Sequence, residues 1–89
     1  MPARHIVITG LVQGVFFRAQ AKAKADSLRL AGWVRNVDDG SVEMHVEGRE
    51  KDIQTFEQWC HTGPAGARIE DVESGDVDEE YAKAFVIQM

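Results

Sequence analysis

Apolar positions along the chain change period several times, and each change marks an element. Arg4 to Thr9 is dominated by β-branched residues (Ile6-Val7-Ile8), and Gly10 ends the run, which predicts a first strand. From Phe17 to Leu30 the spacing turns helical: Phe17, Ala21, Ala25 and Leu28 share one face, with Lys22, Lys24 and Asp26 largely off it. Four alanines at positions 19, 21, 23 and 25 raise the helix propensity further. Gly32 breaks the pattern, and Trp33 to Val37 reads as a second strand. Asp38-Asp39-Gly40 is a turn signal that folds this strand back, antiparallel, onto a third. The third strand, Ser41 to Glu47, alternates strictly, with Val42, Met44 and Val46 on one side and Glu43, His45 and Glu47 on the other. That alternation predicts a sheet with one face open to water.

Glu50 to His61 returns to helical spacing, with Ile53, Phe56 and Cys60 on one stripe and Trp59 beside it. Thr62-Gly63-Pro64-Ala65-Gly66 stops that helix. Ala67 to Asp76 is a fourth strand of mixed character, Ile69 and Val72 standing among Glu70, Asp71, Glu73 and Asp76. An acidic turn from Asp76 to Glu80 leads to a short last strand through Ala84, Phe85, Val86 and Ile87. The order β-α-β-β-α-β, plus the terminal strand, is that of an α+β, ferredoxin-like split β-α-β sandwich. Its antiparallel sheet carries two helices on one face, with strands one and three central and strand two beside strand three. This topology serves many unrelated functions, so function has to come from a site.

Composition narrows the classes. With 89 residues, the chain is expected to form a single domain over 1–89. No apolar run approaches the ~20 residues of a membrane helix. The basic start Arg4-His5 precedes only a short strand-like run, so no signal peptide is expected. A lone cysteine, Cys60, excludes an intramolecular disulfide, suits a reducing, cytoplasmic setting, and by its place on the apolar stripe reads as core. The net charge of −5 disfavours nucleic acid and anionic membranes, and obliges any anionic ligand to be held by local groups.

Most candidate chemistry is missing. His5, His45 and His61 lie one per element, too scattered for metal-ligand spacing, so no metal and no cofactor are expected. No Ser, Thr or Cys stands beside a base in a nucleophilic pattern. Gly10 to Gly14 lacks the third glycine and distal acid of a dinucleotide site, and no P-loop lysine is present. What remains is Gly10-Leu11-Val12-Gln13-Gly14-Val15-Phe16-Phe17-Arg18, a loop that leaves a strand and opens a helix. A helix start leaves about four backbone N–H groups without internal partners. Gly14, Val15, Phe16 and Phe17 offer no capping side chain for them. Water or a bound phosphate fills that role, and Arg18, a cation where the helix dipole disfavours one, points to an anion. Asn36, on the Val34 side of the second strand, is either a turn-stabilising side chain or part of the same site.

That loop, together with Gly32-Trp33-Val34-Arg35-Asn36-Val37-Asp38-Asp39-Gly40-Ser41-Val42-Glu43, closely resembles the two signatures of the acylphosphatase family. Gly63-Pro64-Ala65-Gly66-Ala67-Arg68 and Phe85-x-Ile87 are similar to the same family, so the resemblance spans nearly the whole chain. It implies hydrolysis of a small acyl phosphate to a carboxylate and inorganic phosphate, without metal or cofactor, by a small monomer. By position, Arg18 is then the phosphate-binding residue and Asn36 holds the attacking water. Gln13, Gly14, Val15, Phe16, Phe17 and Arg18 form the phosphate cradle. In many members a glycine stands where this chain has Arg29, which leads us to expect a different exit from helix one. Two rivals share the fold: a non-catalytic anion-binding module, and the carbamoyl-phosphate-handling module of a larger maturation enzyme. The lack of a zinc-finger continuation weighs against the second. An RNA-binding sheet would need a basic face with exposed aromatics, which Glu43, His45 and Glu47 do not supply.

Overall fold

A computed structural model of the chain describes residues 1–14 and 16–88. Among them the elements follow in the expected order: β1 (Ala3–Leu11), α1 (Phe17–Ser27), β2 (Ala31–Asn36), β3 (Val42–Glu47), α2 (Glu50–Thr62), β4 (Arg68–Asp76) and β5 (Phe85–Ile87). The strands form one sheet in the order β4-β1-β3-β2-β5. The first four strands pair antiparallel. β5 adds to β2 in parallel, through Gly32–Phe85, Trp33–Val86 and Val34–Ile87. Its direction follows from its connection. The segment after β4 stays at one end of the sheet, crosses to the far edge, and so starts β5 from the end where β2 also starts.

One face of the sheet is dry. Ile6, Ile8, Val34, Val42, Met44 and Val46 meet Phe17, Ala21 and Ala25 of α1 and Ile53, Phe56 and Cys60 of α2 in a single buried cluster. Aromatic contacts lock the helices in place: Phe17 lies 5.4 Å from Trp59, and Phe56 lies 6.1 Å from Phe85, ring centre to ring centre. Phe17 thus anchors the first turn of α1, which carries the candidate site. Cys60 is fully buried, as expected, and burial (with Glu57 nearby) pushes its thiol pKa far up.

Two sequence expectations need correction. The opposite face is not open to water along all of β3. His45 and Glu47 are 2 % and 5 % exposed, because the segment between β4 and β5 folds over them. The Glu47 carboxylate accepts the backbone N–H groups of Glu80 and Ala82 (3.0 Å for the latter) and lies 2.7 Å from His45 Nε2. Trp33 stacks on His45, and its indole N–H donates to Glu80 at 3.0 Å. Alternation assigned these side chains to the right face but could not show what covers it. The second correction concerns Arg29. The exit from α1 is the glycine-type exit after all, with Arg29 itself at φ 58°. Leu30 N–H reaches back to Ala25 O (2.9 Å) and Arg29 N–H to Asp26 O (3.1 Å), the paired bonds of a left-handed helix end.

Candidate active site

β1, β2 and β5 all run toward the same end of the sheet, so Leu11, Asn36 and Ile87 end up near one another there. α1 begins at that end too. A cavity of about 360 Å³ opens between them, lined by Val12, Gly14, Phe16, Phe17, Arg18, Ala19, Asn36 and Ile87. Its wall is mostly carbon. Its polar lining residues are Arg18, at the start of α1, and Asn36, at the end of β2.

The helix start is as bare as the sequence predicts. Phe16 precedes α1 in a left-handed conformation (φ 58°, ψ 26°), and no side chain caps the helix. Among the described residues, the first hydrogen bond of the helix runs from Gln20 N–H to Phe16 O. Among the described residues, the N–H groups of Phe17 and Arg18 therefore precede the ladder, at the positive end of the helix dipole. Phe16 is 81 % exposed, an apolar ring held in a conformation that costs a non-glycine residue about 1–2 kcal/mol. Among the described residues no carboxylate pairs with Arg18, whereas Arg4 is engaged by Glu50, Glu57 and Asp76, and Arg35 by Glu43. A half-buried, unpaired cation beside open N–H groups is a place for an anion.

The predicted residues come together with two qualifications. Gly14, Phe16, Phe17, Arg18 and Asn36 line the cavity. Gln13 does not: its side-chain amide turns away to the β2–β3 hairpin and donates to Val37 O and Ser41 O. Val15, the remaining cradle residue, lies outside the described residues. The turn does not draw on Asn36. Its side-chain support comes from Asp39, which accepts the Ser41 hydroxyl (2.6 Å) and N–H (2.9 Å), bonds that hold its carboxylate below the usual pKa. Ile87 is a wall residue that sequence reasoning missed. Its signal was the Phe85-x-Ile87 pattern, but its place depends on the parallel pairing of β5. A larger hollow of about 650 Å³ at the other end of the sheet is lined by Glu50, Asp76, Asp78 and Glu79, the wrong sign for a phosphate.

The family model described as Acylphosphatase matches residues 4–87. An acylphosphatase of a Nocardioides species is 43 % identical over 86 residues, covering 97 % of this chain and 87 % of the relative. One from Natronomonas pharaonis is 40 % identical over 84 residues, covering 94 % and 91 %. The crystal structure of acylphosphatase from Bacillus subtilis superposes with a TM-score of 0.97 at 36 % identity, over 100 % of both chains. Full-length HypF, crystallised in a phosphate- and nucleotide-bound form, matches 99 % of this chain with 12 % of its own length, at TM-score 0.89 and 32 % identity. An uncapped helix start, an unpaired arginine and a facing asparagine thus belong to a chain that is a member of the acylphosphatase family, enzymes that hydrolyse acyl phosphates.

Proposed function

We propose that Arg18 and the backbone of Gly14 to Phe17 bind the phosphate of the substrate, and that Asn36 orients the attacking water. The observation that carries this reading is the single cavity shared by Arg18, the uncapped start of α1 and Asn36. The bound phosphate takes the place of the missing cap, and Arg18 presents a planar fork of donors to two of its oxygens. The remaining loop N–H groups meet further equatorial oxygens, where negative charge is concentrated during transfer.

The chemistry asks for little else. The leaving group is a carboxylate, whose conjugate acid has a pKa of roughly 4 to 5, so it departs without a general acid. Asn36 donates to and accepts from a water in line with the scissile bond but is too weak a base to deprotonate it. The phosphate's own oxygens take that proton. Positioning and charge stabilisation then account for the rate, and the reaction proceeds without a metal ion. The acyl group lies against Phe16 and Ile87, the carbon-rich rim of the cavity. In the same reading the chain acts as one domain over 1–89, as a cytoplasmic monomer, with a small acyl phosphate and no nucleic acid as its ligand.

The test is turnover of a model acyl phosphate, with and without chelator. Arg18→Ala should lower kcat/KM by about 100-fold or more, as expected when a charged clamp on a transferring phosphoryl group is lost. Asn36→Ala should lower kcat while leaving the inhibition constant of inorganic phosphate nearly unchanged. Parental turnover by Arg18→Ala, or equal loss of kcat and phosphate affinity in Asn36→Ala, defeats the assignments.

A further inference from the structure

The Gln13 side chain joins two segments that the sheet leaves apart. β3 lies between β1 and β2, and the pairing of β1 with β3 ends at Ile8–Val42, before the loop begins. Across the gap, Gln13 Nε2 donates to Val37 O at 2.7 Å and to Ser41 O at 2.9 Å. The same two carbonyls close the hairpin: Ser41 O accepts Val37 N–H at 2.9 Å, and Val37 O accepts Gly40 N–H at 3.0 Å. Because both partners of the amide are acceptors, its nitrogen must face the hairpin and both of its hydrogens are committed. Among the described residues the other amide atom, Oε1, has no hydrogen-bond donor, and as an acceptor it would repel a phosphate oxygen. The chain neighbours of this clip are the site itself. Gly14 follows Gln13 and lines the cavity on one side, while Asn36 precedes Val37 and lines it on the other.

We propose that Gln13 is a positioning residue. By clipping the phosphate loop to the β2–β3 hairpin, it sets the separation between the bound phosphate and Asn36, and with it the line along which the water attacks. The inference rests on the hydrolase reading above and removes the Gln13 side chain from the phosphate ligands, leaving only its backbone in the loop. In-line displacement is sensitive to such spacing, since a misplacement of about 1 Å costs up to about 100-fold in rate.

The experiment is a double-mutant cycle between Gln13→Met, which keeps the length of the side chain without its donors, and Asn36→Ala. Turnover of acetyl phosphate, inhibition by inorganic phosphate and urea midpoints are measured on all four proteins, with Gln13→Ala replacing Gln13→Met if the latter does not fold. Gln13→Met should lower kcat by about 10-fold or more. It should shift the phosphate inhibition constant by less than about threefold, and should cost less than about threefold in kcat once Asn36 is already alanine. A phosphate constant that weakens in step with kcat makes Gln13 a phosphate ligand and overturns the inference. So does an undiminished penalty in the Asn36→Ala background, which makes the effect independent of Asn36, or an unchanged kcat. No turnover by the parent protein overturns the hydrolase reading and this inference together. Full turnover by Asn36→Ala removes the role of Asn36, and the inference with it, but leaves the phosphate loop standing.

Discussion

Replacing Glu47 with alanine should remove the anchor that holds the β4–β5 connection against the sheet. The carboxylate is 5 % exposed and serves three donors: the N–H groups of Glu80 and Ala82, and His45 Nε2. Each hydrogen bond to a charged group contributes about 1.5–3 kcal/mol, and removing one partner strands the other. The three losses do not add. The connection can lift and give its two N–H groups to water, whereas His45, 2 % exposed and stacked under Trp33, cannot do so cheaply. A net loss of about 3 kcal/mol follows, which for a domain of this size lowers Tm by about 12–24 °C. That is a large part of the 5–15 kcal/mol typical of a small domain. The loss should also depend on pH. Burial opposes ionisation of Glu47, but the Glu80 N–H, His45 and the Ala82 N–H outweigh it, so its folded pKa lies below the ordinary value. The unfolded chain therefore binds the proton first. The stabilising contribution is complete above the unfolded value of 4.5 and fades as pH falls through the lower folded one. Urea melts of parent and variant from pH 7 down to pH 3 test both points. Glu43 and Asp39, whose pKa values are also lowered, are common to both proteins and cancel in the difference. A loss under about 1 kcal/mol at pH 7, or a gap that stays constant on acidification, refutes the reasoning.

Other outcomes follow from backbone geometry and from the rim of the cavity. Arg29→Gly should stabilise the protein by about 1 kcal/mol, because Arg29 sits at φ 58° where glycine carries no steric cost; a urea midpoint shifted upward checks this. Gly32→Ala should be strongly destabilising, by about 3 kcal/mol or more. Gly32 lies at φ 139°, and an added Cβ would collide with the His45 carbonyl oxygen across the β2–β3 ladder, so thermal melts should show a collapse of Tm. Phe16→Ala should lower kcat/KM for an aryl-acyl phosphate about 10-fold more than for acetyl phosphate, the difference one buried ring contact supplies. Equal losses on the two substrates would place the acyl group elsewhere.

The residues to which we assign the chemistry were legible because their signals are local. The absence of a cap at the start of α1 needs only the identities of Gly14, Phe16 and Phe17, and a cation at position 18 stands out against the helix dipole without any knowledge of the fold. The element order was legible for the same reason, each change of period being a property of about ten consecutive residues. Sequence placed His45 and Glu47 on the correct face and Asn36 on the Val34 side. Period alone cannot say what lies across a face, so the cover over His45 and Glu47 stayed hidden.

Sequence by itself therefore determined the elements, the dry face of the sheet and the loop with its arginine, all of which follow from short-range spacing. Tertiary structure decided the rest: the parallel entry of β5 that brings Ile87 to the cavity, the anchoring of the β4–β5 connection on Glu47, and the clip from Gln13 to Val37 and Ser41. These join positions 24 to 53 residues apart, and each depends on which strand lies beside which. Such pairings are settled by packing and chain direction together, and no stretch of ten residues contains that information.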